Sequence, residues 1–264
     1  MTLNAIPRRE APPNELVREY APSDPHTERL KVRLKALAGE CVEIPCVVGG
    51  EEVRTGQVHE CRAPHDHEQV LCRWHAATPD VVERAIQRSQ EAWREWSEAP
   101  HAVRAAIFLK AADLLAGSWR DTLNASTMLG QSKTCFQAEI DAACELIDFW
   151  RFNVHFALNE IYPSQPFSAP GVWNSVEYRP LEGFVYAVTP FNFTAIAANL
   201  PTAPALLGNT IVWKPSPKAA LAAEIVMQLL EAAGLPRGVI NLVQGDAAKI
   251  CALPPPLSLP TKST

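Results

Sequence analysis

With 264 residues, 47% of them hydrophobic and 20% charged, the chain is long enough to bury a substantial core, as one large domain or two modest ones. Its net charge of −5 gives no electrostatic case for nucleic acid or an anionic membrane, and no apolar run approaches the roughly 20 residues that a bilayer-spanning helix needs. Seven cysteines, an odd number without regular spacing, suit a reduced compartment better than a disulfide framework.

The start carries two arginines but also Glu10, Glu15 and Glu19. It lacks the apolar centre of a secretory signal and is a poor match to an acid-poor transit peptide. Prolines cluster at both ends, so residues 1–25 and the tail CALPPPLSLPTKST (251–264) read as extended or disordered. Residues 26–160 read as a helical and hairpin part, beginning with a short charged helix over 26–39. CVEIPCVVGGEEVRTG (Cys41 to Gly56) has strand-like runs around a Gly-Gly turn, and QVLCRWHAA predicts another strand. A helix then opens with Thr78 as N-cap and Pro79 at its first position. HAVRAAIFLKAADLLAG predicts a helix with Val103, Ile107, Ala111 and Leu114 on its buried face, stopping near Gly117. The longest helix is expected over Lys133 to Glu160, with Phe136, Ile140, Ala143, Ile147, Trp150 and Val154 along one stripe.

Prolines end that helix, and 161–182 reads as an exposed β-arm, with alternation in VWNSVEYRP. Over 183–250 the order becomes strand (GFVYAV), helix, strand (TIVWK), helix (PKAALAAEIVMQLLEAAG), strand (GVINLV). This is the grammar of a parallel sheet with crossover helices. The predicted fold is therefore α/β: a truncated Rossmann-like parallel sheet preceded by N-terminal helices and a β-hairpin. Stopping after three strands, the sheet is expected to leave one edge open and an apolar face uncovered, which allows a fragment without a stable fold.

Asn192, in TPFNFTAI, falls where the first parallel strand hands over to a helix, the end at which α/β folds gather ligands. Its amide could stabilise an oxyanion, or it could simply cap the helix that begins near Thr194. Lys214 ends the next strand before Pro215, Ser216 and Pro217. It suits a nucleotide's hydroxyls or phosphate, or it is a solvated strand-end charge. No G-x-G-x-x-G turn is present. Cys61, His65, His67, Cys72 and His75 form the densest group of metal-ligating types, but without a C-x-x-C pair or a known zinc spacing they read as a polar surface turn, and no metal is assigned. Cys135 and Cys144, on or beside the long helix, and Cys251, without a nearby His or Glu, do not read as nucleophiles.

Taken together, TPFNFTAI…PALLGNTIVWKPS and, about twenty residues on, AGLPRGVINLVQGD resemble the cofactor-binding core of the aldehyde dehydrogenase superfamily, which binds NAD without the G-x-G-x-x-G turn. IPCVVGGEEV, RAAIFLKAADLLAG, QAEIDAACELIDFWRFN and EYRPLEGF are most similar to its L-glutamate γ-semialdehyde branch. The resemblance runs from about Leu30 to Asp246 and covers less than half of a full-length member. It implies NAD-dependent oxidation of that aldehyde to L-glutamate, in the mitochondrial matrix, although the absence of a clear transit peptide leaves the cytoplasm open. It implies Asn192 as oxyanion donor, Lys214 as holder of the adenosine ribose with Ser216 assisting, and Thr189 and Phe191 as cofactor contacts. The β-arm would serve oligomerisation. The family's nucleophilic cysteine and water-activating glutamate match nothing in this chain. Two readings therefore stand: part of the enzyme, inactive alone, or a non-catalytic form that binds cofactor weakly or pairs with full-length subunits.

Overall fold

A computed structural model describes residues 10–251. Residues 1–9 of the expected N-terminal segment, and the Pro-rich tail beyond Cys251, lie outside the described residues.

In chain order, helix α1 (Pro25–Gly39) follows an Asp24 cap whose carboxylate accepts from the His26 amide, with Pro25 at the first helical position. Strands β1 (Val42–Ile44), β2 (Cys46–Val48), β3 (Glu51–Val53), β4 (Val58–Ala63) and β5 (Asp66–His75) come next. The β2–β3 turn is made by Gly49 and Gly50, at φ 62° and 75°, the pair of left-handed conformations that a two-residue hairpin demands. Helices α2 (Pro79–Trp96), α3 (His101–Ala116), α4 (Arg120–Gln131), α5 (Cys135–Ala138) and α6 (Glu145–Phe156) lead to β6 (Val185–Val188). Then follow α7 (Thr194–Leu206), β7 (Ile211–Lys214), α8 (Ala220–Ala233), β8 (Ile240–Leu242) and the short α9 (Ala247–Cys251).

The strands form a three-stranded sheet, β1-β5-β4, and a five-stranded sheet, β3-β2-β8-β7-β6. Within the latter, β6, β7 and β8 run parallel, as the βαβαβ order requires. The expectation of an open edge and an uncovered face after the third strand is corrected by β2, which pairs antiparallel with β8. Asn241 fastens this junction. Its side-chain oxygen accepts from the Gly49 amide at 2.7 Å, and its nitrogen donates to Ser89 on α2 at 2.9 Å. Both faces are covered: Val48, Val212 and Val243 pack with Val81, Val82, Ala85 and Ile86 of α2, while Ile211, Trp213 and Leu242 join the larger core with α7 and α8.

The structure departs from the sequence reading at other points. On α3 the buried face is Arg104, Ala105, Phe108, Ala111, Ala112 and Leu115, while Val103 is exposed. Arg104 goes inward because its guanidinium donates to the Leu206 carbonyl at 2.9 Å and to the Tyr162 hydroxyl at 3.2 Å. The long helix contains two π segments, Glu139–Cys144 and Ala157–Ile161. An extra residue per turn rotates the apolar stripe, so Phe136 and Ile140 face solvent while Glu139 is buried. Residues 163–182 form no strand; they are largely exposed and turn back on themselves near Gly171, with Gln165 bonded to the Val176 amide at 3.0 Å.

Residues 10–24 form neither helix nor strand but are fastened. Arg120 donates to the Glu15 carboxylate at 2.6 Å, to the Leu16 carbonyl at 2.7 Å and to Glu139. Glu139 also accepts from the Arg18 amide, the Tyr20 hydroxyl and Asn124, at 2.9, 2.8 and 2.7 Å. Burial works against the ionised Glu139, yet these hydrogen bonds and the Arg120 charge hold its carboxyl below the ordinary value.

Candidate functional site at the carboxyl edge of the parallel sheet

Strands β6 and β7 pair in parallel with Val188 opposite Lys214, so the segments that follow them leave the sheet at one edge. Thr189 is buried there: its amide donates to the Lys214 carbonyl at 3.2 Å, and its hydroxyl accepts from the Trp213 indole at 2.9 Å. Lys214 is itself buried, with a relative exposure of 5%. A lysine ammonium carries a desolvation cost unless something balances it, so a buried lysine at a strand end is a built feature. Ser216 is half-buried and starts the turn Pro217–Ala219, its hydroxyl accepting from the Lys218 amide at 3.4 Å.

The loop after β6 is held from the side. Lys133 donates to the Asn192 carbonyl at 2.6 Å and to Asp141 at 2.7 Å, and its ammonium lies 4.2 Å from the centroid of the Phe193 ring. Gln131 and Thr127 both bond the Thr194 hydroxyl at 2.8 Å. Asn192 is exposed, and the cap position of α7 is Phe193, with no side-chain cap hydrogen bond. Helix capping is therefore not what Asn192 does. Phe191, also exposed, has the Lys218 ammonium 5.2 Å from its ring centroid. Close by on the long helix, burial and the Asp141 charge push the Glu145 carboxyl up, against the opposing effect of Lys133.

Thr189, Asn192, Lys214 and Ser216 thus sit on two adjacent connections at the carboxyl ends of neighbouring parallel strands. Lys133, Gln131 and Thr127 were not legible as site residues, since only the folded chain brings the α4–α5 junction against this loop. Gln244, after β8, carries a better signal: it is a polar residue ending the third parallel strand. It is fully buried, and neither atom of its carboxamide has a hydrogen-bond partner. Behind the edge, between α7 and α8, the recess lined by Thr194, Trp213 and Pro215 holds only about 10 Å³, room for a water and not a dinucleotide. A ligand of that size would lie on the open edge.

The group of Cys61, His65, His67, Cys72 and His75 is spread over separate partners. Cys61 and Cys72 oppose each other across β4 and β5, His65 bonds Ser132 at 2.8 Å, and His75 bonds the Gly56 amide and Glu43. Among the described residues no cluster of three or more His, Cys, Asp or Glu could hold a metal ion. No helix among them is long and apolar enough to cross a membrane.

Residues 52–253 match the model of the aldehyde dehydrogenase family. Delta-1-pyrroline-5-carboxylate dehydrogenase of Agaricus bisporus is 49% identical over 236 residues, 89% of this chain and 43% of that protein. The mitochondrial enzyme of that name from Homo sapiens is 48% identical over 233 residues, 88% of this chain and 41% of that protein. Among solved structures, Delta-pyrroline-5-carboxylate dehydrogenase from Mycobacterium tuberculosis bound with NAD superposes with a TM-score of 0.90 at 53% identity, covering 94% of this chain and 46% of that one. The chain spans less than half the length of these relatives.

Proposed function

The chain belongs to the aldehyde dehydrogenase family, and from that premise we propose that it supplies the cofactor-binding and oxyanion-stabilising part of an NAD-dependent oxidation of L-glutamate γ-semialdehyde to L-glutamate. The observation that carries this reading is the parallel β6–β7 register, which puts the connections bearing Asn192 and Lys214 side by side. The names of the curated relatives suggest the substrate, and the NAD bound to the Mycobacterium tuberculosis enzyme, 53% identical, suggests the cofactor. The mitochondrial label of the human relative supports a mitochondrial compartment.

In this reading Lys214 and Ser216 hold the ribose hydroxyls of the adenosine half, and Thr189 and Phe191 line the path of the cofactor. The donor set fits: an ammonium at the end of β7, a hydroxyl in the connection that follows and an aromatic side chain in the connection after β6 suit a polyhydroxylated, ring-bearing ligand. When bound, NAD supplies the hydride acceptor. Asn192 would offer its side-chain N–H to the oxygen of a tetrahedral adduct, a donor of the kind worth about 3 kcal/mol in the transition state. Lys133 fixes the backbone from which that amide projects, by its bond to the Asn192 carbonyl. Among the described residues, the buried Cys46 and Cys144 do not suit the attacking role. Burial pushes the Cys46 and Cys144 thiols up to about 11 and about 12, far from a ready thiolate at neutral pH. We therefore read the 264-residue chain as binding NAD without turning over aldehyde by itself.

Calorimetric titration with NAD tests this. Lys214→Ala should weaken binding about tenfold, roughly 1.4 kcal/mol, while the melting temperature stays within a few degrees. Equal affinity in both proteins would remove Lys214 from the site. NADH production from the aldehyde by the chain alone, abolished by Asn192→Ala, would show that it carries a complete active site.

A second reading rests on the segment 163–182, where Phe167, Trp173 and Leu181 are 88%, 92% and 67% exposed. Apolar exposure of that degree marks an association surface, so the chain would pair with itself or with full-length subunits through this arm. Deleting 172–180 should abolish such pairing in size-exclusion chromatography with light scattering. A monomer before and after deletion would end this reading.

A further inference from the structure

Two cysteines left unused by the proposed function face each other across the β4–β5 hairpin. Cys61 and Cys72 are directly opposed in the antiparallel register, and both are buried. Opposed residues in an antiparallel pair hold their Cα atoms about 4.5–5.5 Å apart, inside the span of about 4.4–6.8 Å that a disulfide bridges. The Cys61 thiol also donates to the Lys218 carbonyl at 3.5 Å, in the turn immediately after Lys214, Pro215 and Ser216. β4 is an edge strand, and its register with β5 slips between Cys61 and Arg62, so the ladder is interrupted beside this thiol. The other buried thiols have different neighbours: Cys46 bonds the His75 carbonyl, and Cys144 lies against Arg120 and Glu139.

We propose that Cys61 and Cys72 form a reversible dithiol–disulfide site, oxidised by a peroxide, and that closing the bond releases the Lys218 carbonyl. The peroxide O–O bond breaks as one oxygen joins the Cys61 sulfur as a sulfenic acid and the other leaves as water. The Cys72 sulfur then attacks that sulfur, the S–S bond forms, and the hydroxyl leaves with the Cys72 proton as a second water. The two thiols lose two electrons, which the peroxide gains, and a dithiol reductant reverses the change. Cys61, on the edge strand and beside the register slip, is the thiol that reacts first; its neighbour Cys72 holds it below its ordinary value against the effect of burial, while Cys72 itself is pushed up. As a disulfide, Cys61 has no proton to give Lys218, and the turn that follows Lys214 loses a tether. The effect on the cofactor rests on the proposed role of Lys214; the disulfide does not.

The test exposes the reduced chain to hydrogen peroxide at neutral pH, blocks free thiols by alkylation and maps tryptic peptides by mass spectrometry. The peptides 55–62 and 63–73 should appear joined, about 2 Da lighter than their sum, and separate on adding dithiothreitol. The joined species should vanish in Cys61→Ser and in Cys72→Ser and persist in Cys41→Ser. Hydrogen exchange at the Lys218 and Ala219 amides should rise several-fold in the oxidised chain. Peroxide that modifies Cys61 or Cys72 singly, with no joined peptide, overturns the site. A joined peptide with unchanged exchange at those amides overturns the coupling to the turn. Neither readout needs cofactor, so a failure of NAD binding would leave both results standing.

Discussion

Two parts of this molecule place polar side chains inside apolar surroundings and treat them in opposite ways. Around Arg120 and Glu139, both almost fully buried, the donors and acceptors are matched to one another: guanidinium to two carboxylates and a carbonyl, carboxylate to an amide, a hydroxyl and a carboxamide. At the carboxyl edge of the parallel sheet, Gln244 is as deeply buried with its carboxamide unpartnered, and Asn192 turns its amide to solvent. Matched burial fixes structure, here by fastening residues 10–24 to α4 and the long helix. Unmatched groups at a strand edge leave hydrogen-bonding capacity unused within the fold.

Mutation separates the two most sharply. Glu139→Ala leaves Arg120 buried without its main counter-charge and should destabilise the fold by about 3–5 kcal/mol, read by chemical denaturation. A loss under 1 kcal/mol would mean that the cluster is not the fastening it looks to be. Acid should act on the same region. Glu15 and Glu139 both titrate below the ordinary 4.5 in the folded chain, Glu15 because its bonds to Arg120 and Arg151 outweigh burial. Their contribution is therefore present above about pH 4.5 and lost as pH falls through their lower folded values. Protection of the Arg18 amide against hydrogen exchange should fall in that range before protection in α3 does; simultaneous loss would remove the distinction. The smallest effect is expected at the sheet edge. Gln244→Met replaces an unpartnered amide by an apolar side chain of similar size and should be neutral or stabilising by about 1 kcal/mol. Destabilisation beyond that would show that the carboxamide is already in use within the fold.

The same contrast explains what could be read in advance. The β2–β3 hairpin was legible because two consecutive glycines leave few alternatives, and the βαβαβ order because short apolar runs alternated with long helical ones. At the edge, Asn192 and Lys214 were legible because they are polar residues at the ends of apolar strands. Lys133, which bonds the Asn192 carbonyl, gave no such sign: a lysine between helices looks the same whether it reaches solvent or another element. Phe136 and Ile140 were put on the apolar stripe because helical periodicity could not anticipate a π segment, and the buried Glu139 gave no sign.

The sequence by itself determined the strand–helix order after Gly183 and the parallel sense of β6, β7 and β8, since these follow from side-chain period, turn chemistry and the handedness of crossovers. Only the tertiary structure decided that β2 would close the β8 edge, that Arg104 and Glu139 would turn inward, and that Cys61 would meet Cys72 beneath the Lys218 turn. Each of these depends on a partner that lies elsewhere along the chain, and a buried polar group goes where its hydrogen bonds can be met.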